Sequence, residues 1–84
     1  MRNLYDVLLE VLKKDARLRD EGGGLLKNKA QELARKNDAE LIAALFENAD
    51  IKKIFFFEVG KATIFDRDKF IDFVASKQFL PDSY

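Results

Sequence analysis

Leu4, Val7, Leu8, Val11 and Leu12 recur at intervals of three and four, the spacing that gathers side chains on one face of an α-helix. Asn3 stands where an N-cap belongs, and Lys13 and Lys14 fall at the end where a helix carries partial negative charge. Residues 15–20 fit either a continuation of this helix or a short turn, with Ala16 and Leu18 as its apolar positions. Gly22, Gly23 and Gly24 then break the periodicity and read as a flexible connector, since a run of glycine cannot hold a helix. A second apolar face, Leu26, Ala30, Leu33 and Ala34, begins at Leu25 or Leu26, and Glu32 and Lys36 form an i,i+4 pair outside it. Asn37 and Asp38 close this helix and cap a third, whose stripe is Leu41, Ile42, Leu45 and Phe46. Asp50 is placed to cap one further turn, reaching Lys53.

Residues 54–65 change the period from helical to alternating and organise the rest of the chain. They read as two short strands around Gly60 and Lys61, with glycine supplying the positive φ that the first position of a two-residue loop needs. In that register Val59 faces Ala62 and Phe57 faces Ile64 on one side, while Phe56 faces Phe65 and Glu58 faces Thr63 on the other. A lone two-stranded ribbon is marginal in water, so helices must cover one face. Cover over Val59, Ala62, Phe57 and Ile64 leaves Phe56 and Phe65 as an exposed aromatic pair of the kind found at contact surfaces; burial of both faces between helices is the alternative. Asp66 then caps a fourth main helix carrying Phe70, Ile71, Phe73 and Val74, which is expected to lie across the ribbon. Pro81 turns the chain away after Phe79 and Leu80. The fold class is therefore α+β: a single small domain over 1–84, with four main helices and one antiparallel hairpin between the third and fourth.

Composition narrows the chemistry. The 84 residues are 48% hydrophobic and 36% charged, a globular balance, and they contain neither cysteine nor histidine. That removes disulfides, thiolate sites, the usual general base near neutral pH and the commonest metal ligand. The missing cysteines make the cytoplasm the simpler location, and no apolar run is long enough to span a membrane. The net charge of zero argues against strong phosphate tracking by this chain.

Three clusters look like sites and have plainer explanations. Asp66, Asp68 and Asp72 resemble a cation loop, but the glycine and glutamate that such a loop needs at its sixth and twelfth positions are Ile71 and Lys77; capping and helix-dipole roles account for the aspartates. The glycine triplet followed by Lys27 lacks the glycine–lysine–serine or threonine ending of a phosphate-binding loop. Lys13, Lys14, Arg17, Arg19, Lys27 and Lys29 form the most basic region and are the candidate DNA-phosphate contacts, diluted by Asp15, Asp20 and Glu21. Helices followed by a hairpin also match the element order of a winged helix, yet the third helix is acidic where a DNA reader would be basic or amide-rich.

One resemblance adds to these readings. The run from Leu25 to Ala34, the run from Asp38 to Ile42, the Phe-Phe-Phe-Glu-Val hairpin, the start of the following helix from Phe65 to Ile71 and the closing stretch from Phe79 to Tyr84 resemble the N-terminal region of methylation (Mod) subunits of type III restriction–modification systems. The likeness runs from about Leu8 to the last residue. It implies a parent subunit that methylates adenine N6 within a DNA recognition sequence, using S-adenosylmethionine. It also implies a DNA-bound complex in which this region adjoins the catalytic domain, a second methylation subunit and a restriction subunit. The Asp-Pro-Pro-Tyr-type pocket and the Phe-x-Gly-x-Gly-type cofactor loop of such enzymes have no counterpart here; Pro81, Asp82, Ser83 and Tyr84 have the wrong order and only one proline. The expectation is thus an accessory domain of a longer subunit that holds no cofactor, metal or catalytic residue. Phe56, Phe65, Phe79, Leu80 and Tyr84 are its candidate contact residues.

Overall fold

The structure is a computed structural model, and it describes residues 3–76 together with residue 79. Helix α1, Leu4–Lys13, is capped by Asn3, whose side chain accepts from the Asp6 N–H at 2.9 Å. Residues 15–20 resolve as a 3₁₀ turn, Ala16–Leu18, that drops Leu18 into the core. Helix α2, Lys27–Arg35, ends in a Schellman motif: Asn37 takes φ 53°, its N–H reaches the Ala34 carbonyl, and the Asp38 N–H reaches that of Leu33. Asp38 at once caps helix α3, Ala39–Glu47, accepting from Leu41 N–H at 3.0 Å, so one tight corner ends one helix and starts the next.

The turn expected from Asp50 to Lys53 is instead a full helix, α4, Ala49–Phe55, and its cap is Asn48 rather than Asp50. Asn48 Oδ1 accepts from the N–H groups of both Asp50 and Ile51. Helix α4 runs without a loop into strand β1, Phe56–Val59, which pairs antiparallel with β2, Ala62–Phe65. The register is the one the sequence implies: Phe56 opposite Phe65, Phe57 opposite Ile64, Glu58 opposite Thr63 and Val59 opposite Ala62, with Gly60 at φ 61°. Asp66 caps the last helix, α5, Arg67–Ala75. The architecture is α+β as expected, with five α-helices among the described residues: the four main ones and α4, which replaces the further turn. Helix α4 stands between α3 and the hairpin.

Helix α5 packs mainly against α2 rather than lying squarely across the ribbon. Gln31 Nε2 donates to the Ile71 carbonyl and Arg67 Nη1 to that of Arg35, tying the middles of the two helices together and the start of α5 to the end of α2. Leu8, Leu12, Leu18, Leu41, Leu45, Ile51, Phe55, Phe70 and Val74 make one continuous core beneath them. Leu26, expected inside, is exposed at the N-cap of α2, and Leu25, bridged to Arg19, takes the buried place. The glycine-rich segment is closed by its own hydrogen bonds: Asp20 accepts from the N–H groups of Gly22 and Gly24, and its N–H donates to the Gly24 carbonyl. At position 24 a Cβ would lie 2.8 Å from Asp20 Oδ2, so any larger residue there pushes this carboxylate aside.

Candidate functional site

The ribbon turns its Phe56/Phe65 face to the core. Phe56 and Phe65 point inward and are half-buried, whereas Phe57, Val59 and Ile64 are 47%, 60% and 39% exposed. Helix α4 sets this orientation: Phe55 ends it fully buried, and Phe56, its C-cap, still donates its N–H to the Lys52 carbonyl, so Phe56 enters β1 held against α4. Phe56 then meets Phe46 edge-on at 5.3 Å and Phe65 at 5.3 Å, and Phe65 meets Phe70 at 5.8 Å. The run continues through Phe70, Phe55 and Phe73 to Tyr5, which stacks on Phe73 at 5.0 Å. Among the described residues Phe57 is the one aromatic ring outside this network, standing in solvent beside Val59 and Ile64. Both expectations for the ribbon, an exposed Phe56/Phe65 pair or two buried faces, are corrected by this burial.

The other contact candidates divide. Phe79 is 1% exposed and belongs to the domain's own core, against Phe73. Its carbonyl accepts from Lys27 Nζ at 3.2 Å, and the same ammonium lies 5.6 Å from its ring. Leu80 and Tyr84 lie outside the described residues.

The six basic candidates do not form one face. Arg17 is held between two carboxylates, with Nη2 2.7 Å from Oδ2 of both Asp15 and Asp38 and Nη1 3.1 Å from Asp38 Oδ1; Glu40 is 3.6 Å away. Lys27 is engaged with Phe79, and Lys29 lies 3.9 Å from Glu32, which also pairs with Lys36. Lys13, Lys14 and Arg19 line a shallow groove, but share it with Asp6 and Glu10. A phosphate approaching this groove would meet two carboxylates beside its three cations.

The Arg17 cluster sets a pH dependence. Its hydrogen bonds hold Asp38 at a pKa of about 2, helped by the Leu41 N–H, and hold Asp15 below the ordinary 3.8 for the same reason. A carboxylate with a depressed folded-state pKa stabilises the fold above its unfolded value and loses that contribution as pH falls through the folded one. Stability from this cluster is therefore complete above about pH 4 and disappears toward pH 2. Arg17→Gln is expected to lower the melting midpoint by a few degrees at pH 6, with the gap from wild type closing by pH 2. Thermal scans at both pH values check it, and a gap that stays constant with pH would show that the cluster does not act through these protons.

The same carboxylates are poor candidates for chemistry. Asp15, Asp38 and Glu32 are all shifted downward by cationic partners, away from the range in which a carboxyl group transfers protons near neutral pH. No polar or charged side chain is buried, and no group of three or more potential metal-ligating residues occurs, among the described residues. No helix among them is long and apolar enough to cross a membrane. What the fold does present is an apolar sheet face, flanked by a groove between α4 and β1.

A family model described as "Type III restriction/modification enzyme methylation subunit" matches residues 38–84, from the cap of α3 through the hairpin and α5 to the last residue. No curated protein and no solved structure matches the chain.

Proposed function

Because the chain belongs to the family of type III restriction/modification enzyme methylation subunits, we propose that it is a non-catalytic N-terminal domain of such a subunit, working by packing against the catalytic domain. The observation that carries this reading is the outward face of the hairpin. Phe57, Val59 and Ile64 cost free energy in water and contribute nothing to this domain's core, which is complete without them. Paired strands hold them in a fixed array, so little side-chain freedom remains to be lost on contact.

The residues do not fit the cofactor that the parent activity uses. A nucleoside such as S-adenosylmethionine is held by polar groups converging inside an enclosed apolar pocket. The described residues bury no polar side chain, and their concavities are open grooves over single elements or shallow joins. S-adenosylmethionine, adenine recognition and methyl transfer belong in this reading to the rest of the subunit, as does DNA contact. A second methylation subunit and a restriction subunit are then partners of the whole complex, which works in the cytoplasm.

The test is Phe57→Ser combined with Val59→Ser in the complete subunit. Both side chains are exposed, so the domain itself should keep its melting midpoint. Its contact with the catalytic domain should weaken roughly tenfold or more, as loss of a central aromatic anchor does. Limited proteolysis reads this as faster release of the domain. Unchanged release, with the domain folded, would refute the packing role of this face.

A further inference from the structure

The ribbon has an open edge as well as an open face. A two-residue loop is closed by a pair that exchanges its N–H and C=O groups, here Val59 and Ala62. Bonded pairs alternate along the ladder, so Phe57 and Ile64 form the next. Two contacts agree with this phase. The Asp66 N–H donates to the Phe55 carbonyl at 2.7 Å, continuing the bonded series, and the Phe56 N–H is turned away from β2 and donates back to Lys52. It follows that Glu58 presents both its N–H and its C=O away from β2, along with the carbonyl of Phe56.

Beside that edge runs a groove of about 360 Å³ between α4 and β1. Ala49, Phe56 and Phe57 give it an apolar lining, and Lys52 and Lys53 stand on its helical side. Lys52 Nζ lies 4.1 Å from the Phe46 ring, which fixes one ammonium at the rim. Lys61 at the loop adds a third positive charge, against Glu58 on β1 and Asp50 at the start of α4.

We propose that this edge receives an extended, acidic and apolar segment of the methylation subunit as a third strand, paired to Glu58 and seated in the α4–β1 groove. The inference rests on the packing reading and gives it a binding mode. Main-chain hydrogen bonds to the edge supply affinity, the apolar lining takes an alternate side chain, and the lysines select carboxylates. A second copy of this chain is the poorer occupant, because a two-fold contact sets each patch against itself and brings lysine toward lysine. Duplex DNA would leave the apolar lining unfilled and offers no strand to pair with Glu58.

The probe is a synthetic peptide of alternating glutamate and valine, with a lysine–valine peptide and a short DNA duplex as comparisons. Amide exchange and chemical shifts are read on this chain by NMR. The glutamate peptide is expected to slow exchange at the Glu58 amide by roughly tenfold or more at saturation and to shift the amides of β1. Glu58→Pro removes the outward N–H without touching the β2 ladder and should abolish binding, while Glu58→Gln should retain it. Lys52→Glu with Lys53→Glu should reverse the preference toward the lysine peptide. No protection of Glu58 at millimolar peptide, equal binding of both peptides, or tighter binding of the duplex at the same amides would each overturn the proposal. None of these results bears on Phe57→Ser with Val59→Ser in the complete subunit, so the two readings fail separately.

Discussion

Phe55→Ala is expected to cost about 3–5 kcal/mol, enough to leave a domain of this size largely unfolded under mild heating. Phe55 is 0% exposed, and its ring makes edge-on contacts with Phe70 at 5.4 Å and Phe73 at 5.3 Å. Those two rings are on α5, so truncation removes the main packing link from α4 to α5 in addition to the buried area. The carbonyl of Phe55, which accepts from Asp66, survives the change; the loss is one of packing alone. Small domains draw on roughly 5–15 kcal/mol in all. A loss of this size corresponds to a fall in melting midpoint of roughly 15 °C or more. The adjacent Phe57→Ala is the internal control, since that ring is 47% exposed and should change stability by only about 0.5 kcal/mol. Calorimetry or thermal circular dichroism on the two variants decides the matter. Equal losses would mean that the hairpin does not turn Phe56 and Phe65 inward.

That contrast also marks where sequence reasoning stops. Helix caps at Asn3, Asp38 and Asp66 are legible because a side-chain oxygen just ahead of an apolar stripe has one dominant local use. The strand register is legible for a similar reason: Gly60 and Lys61 between β-prone runs leave few alternatives. The buried side of the ribbon is not, because alternation identifies a core face only when the other face is polar. Here Phe57, Val59, Ala62 and Ile64 are as apolar as Phe56 and Phe65. The deciding fact is the extent of α4. Ile51, Ile54 and Phe55 stand at helical spacing, but Ile54 and Phe55 are also good strand residues, and reading them as strand hides the helix that orients Phe56.

The basic residues illustrate a different limit. Lys13 through Lys29 look like one patch because they are close in sequence. Arg17 finds Asp38 at a separation of 21 residues, and Lys27 finds Phe79 at a separation of 52, and no local pattern announces either pairing. Both spend cationic side chains on the fold. The open edge at Glu58 was hidden for a related reason, since it depends on which N–H groups α4 has already taken.

Phe79→Ala is the second large loss expected, about 3 kcal/mol. The ring is 1% exposed against Phe73, and Lys27 closes over it, so alanine leaves a cavity beneath an ammonium with no ring to face. The value belongs at the lower end of the range for phenylalanine truncation if the neighbouring side chains of α2 and α5 relax into part of the space. Lys27→Met keeps the aliphatic stem and removes the bond to the Phe79 carbonyl, for about 1 kcal/mol. Two residues in direct contact should not add independently. The double variant is expected to lose less than the two single losses together, since Lys27 has little to hold once the ring is gone. Denaturant titrations of the four proteins measure that coupling. Strict additivity would place Lys27 outside the packing of Phe79 and return it to the pool of surface cations available for phosphate; a clear coupling assigns it to fastening the chain after α5 onto α2.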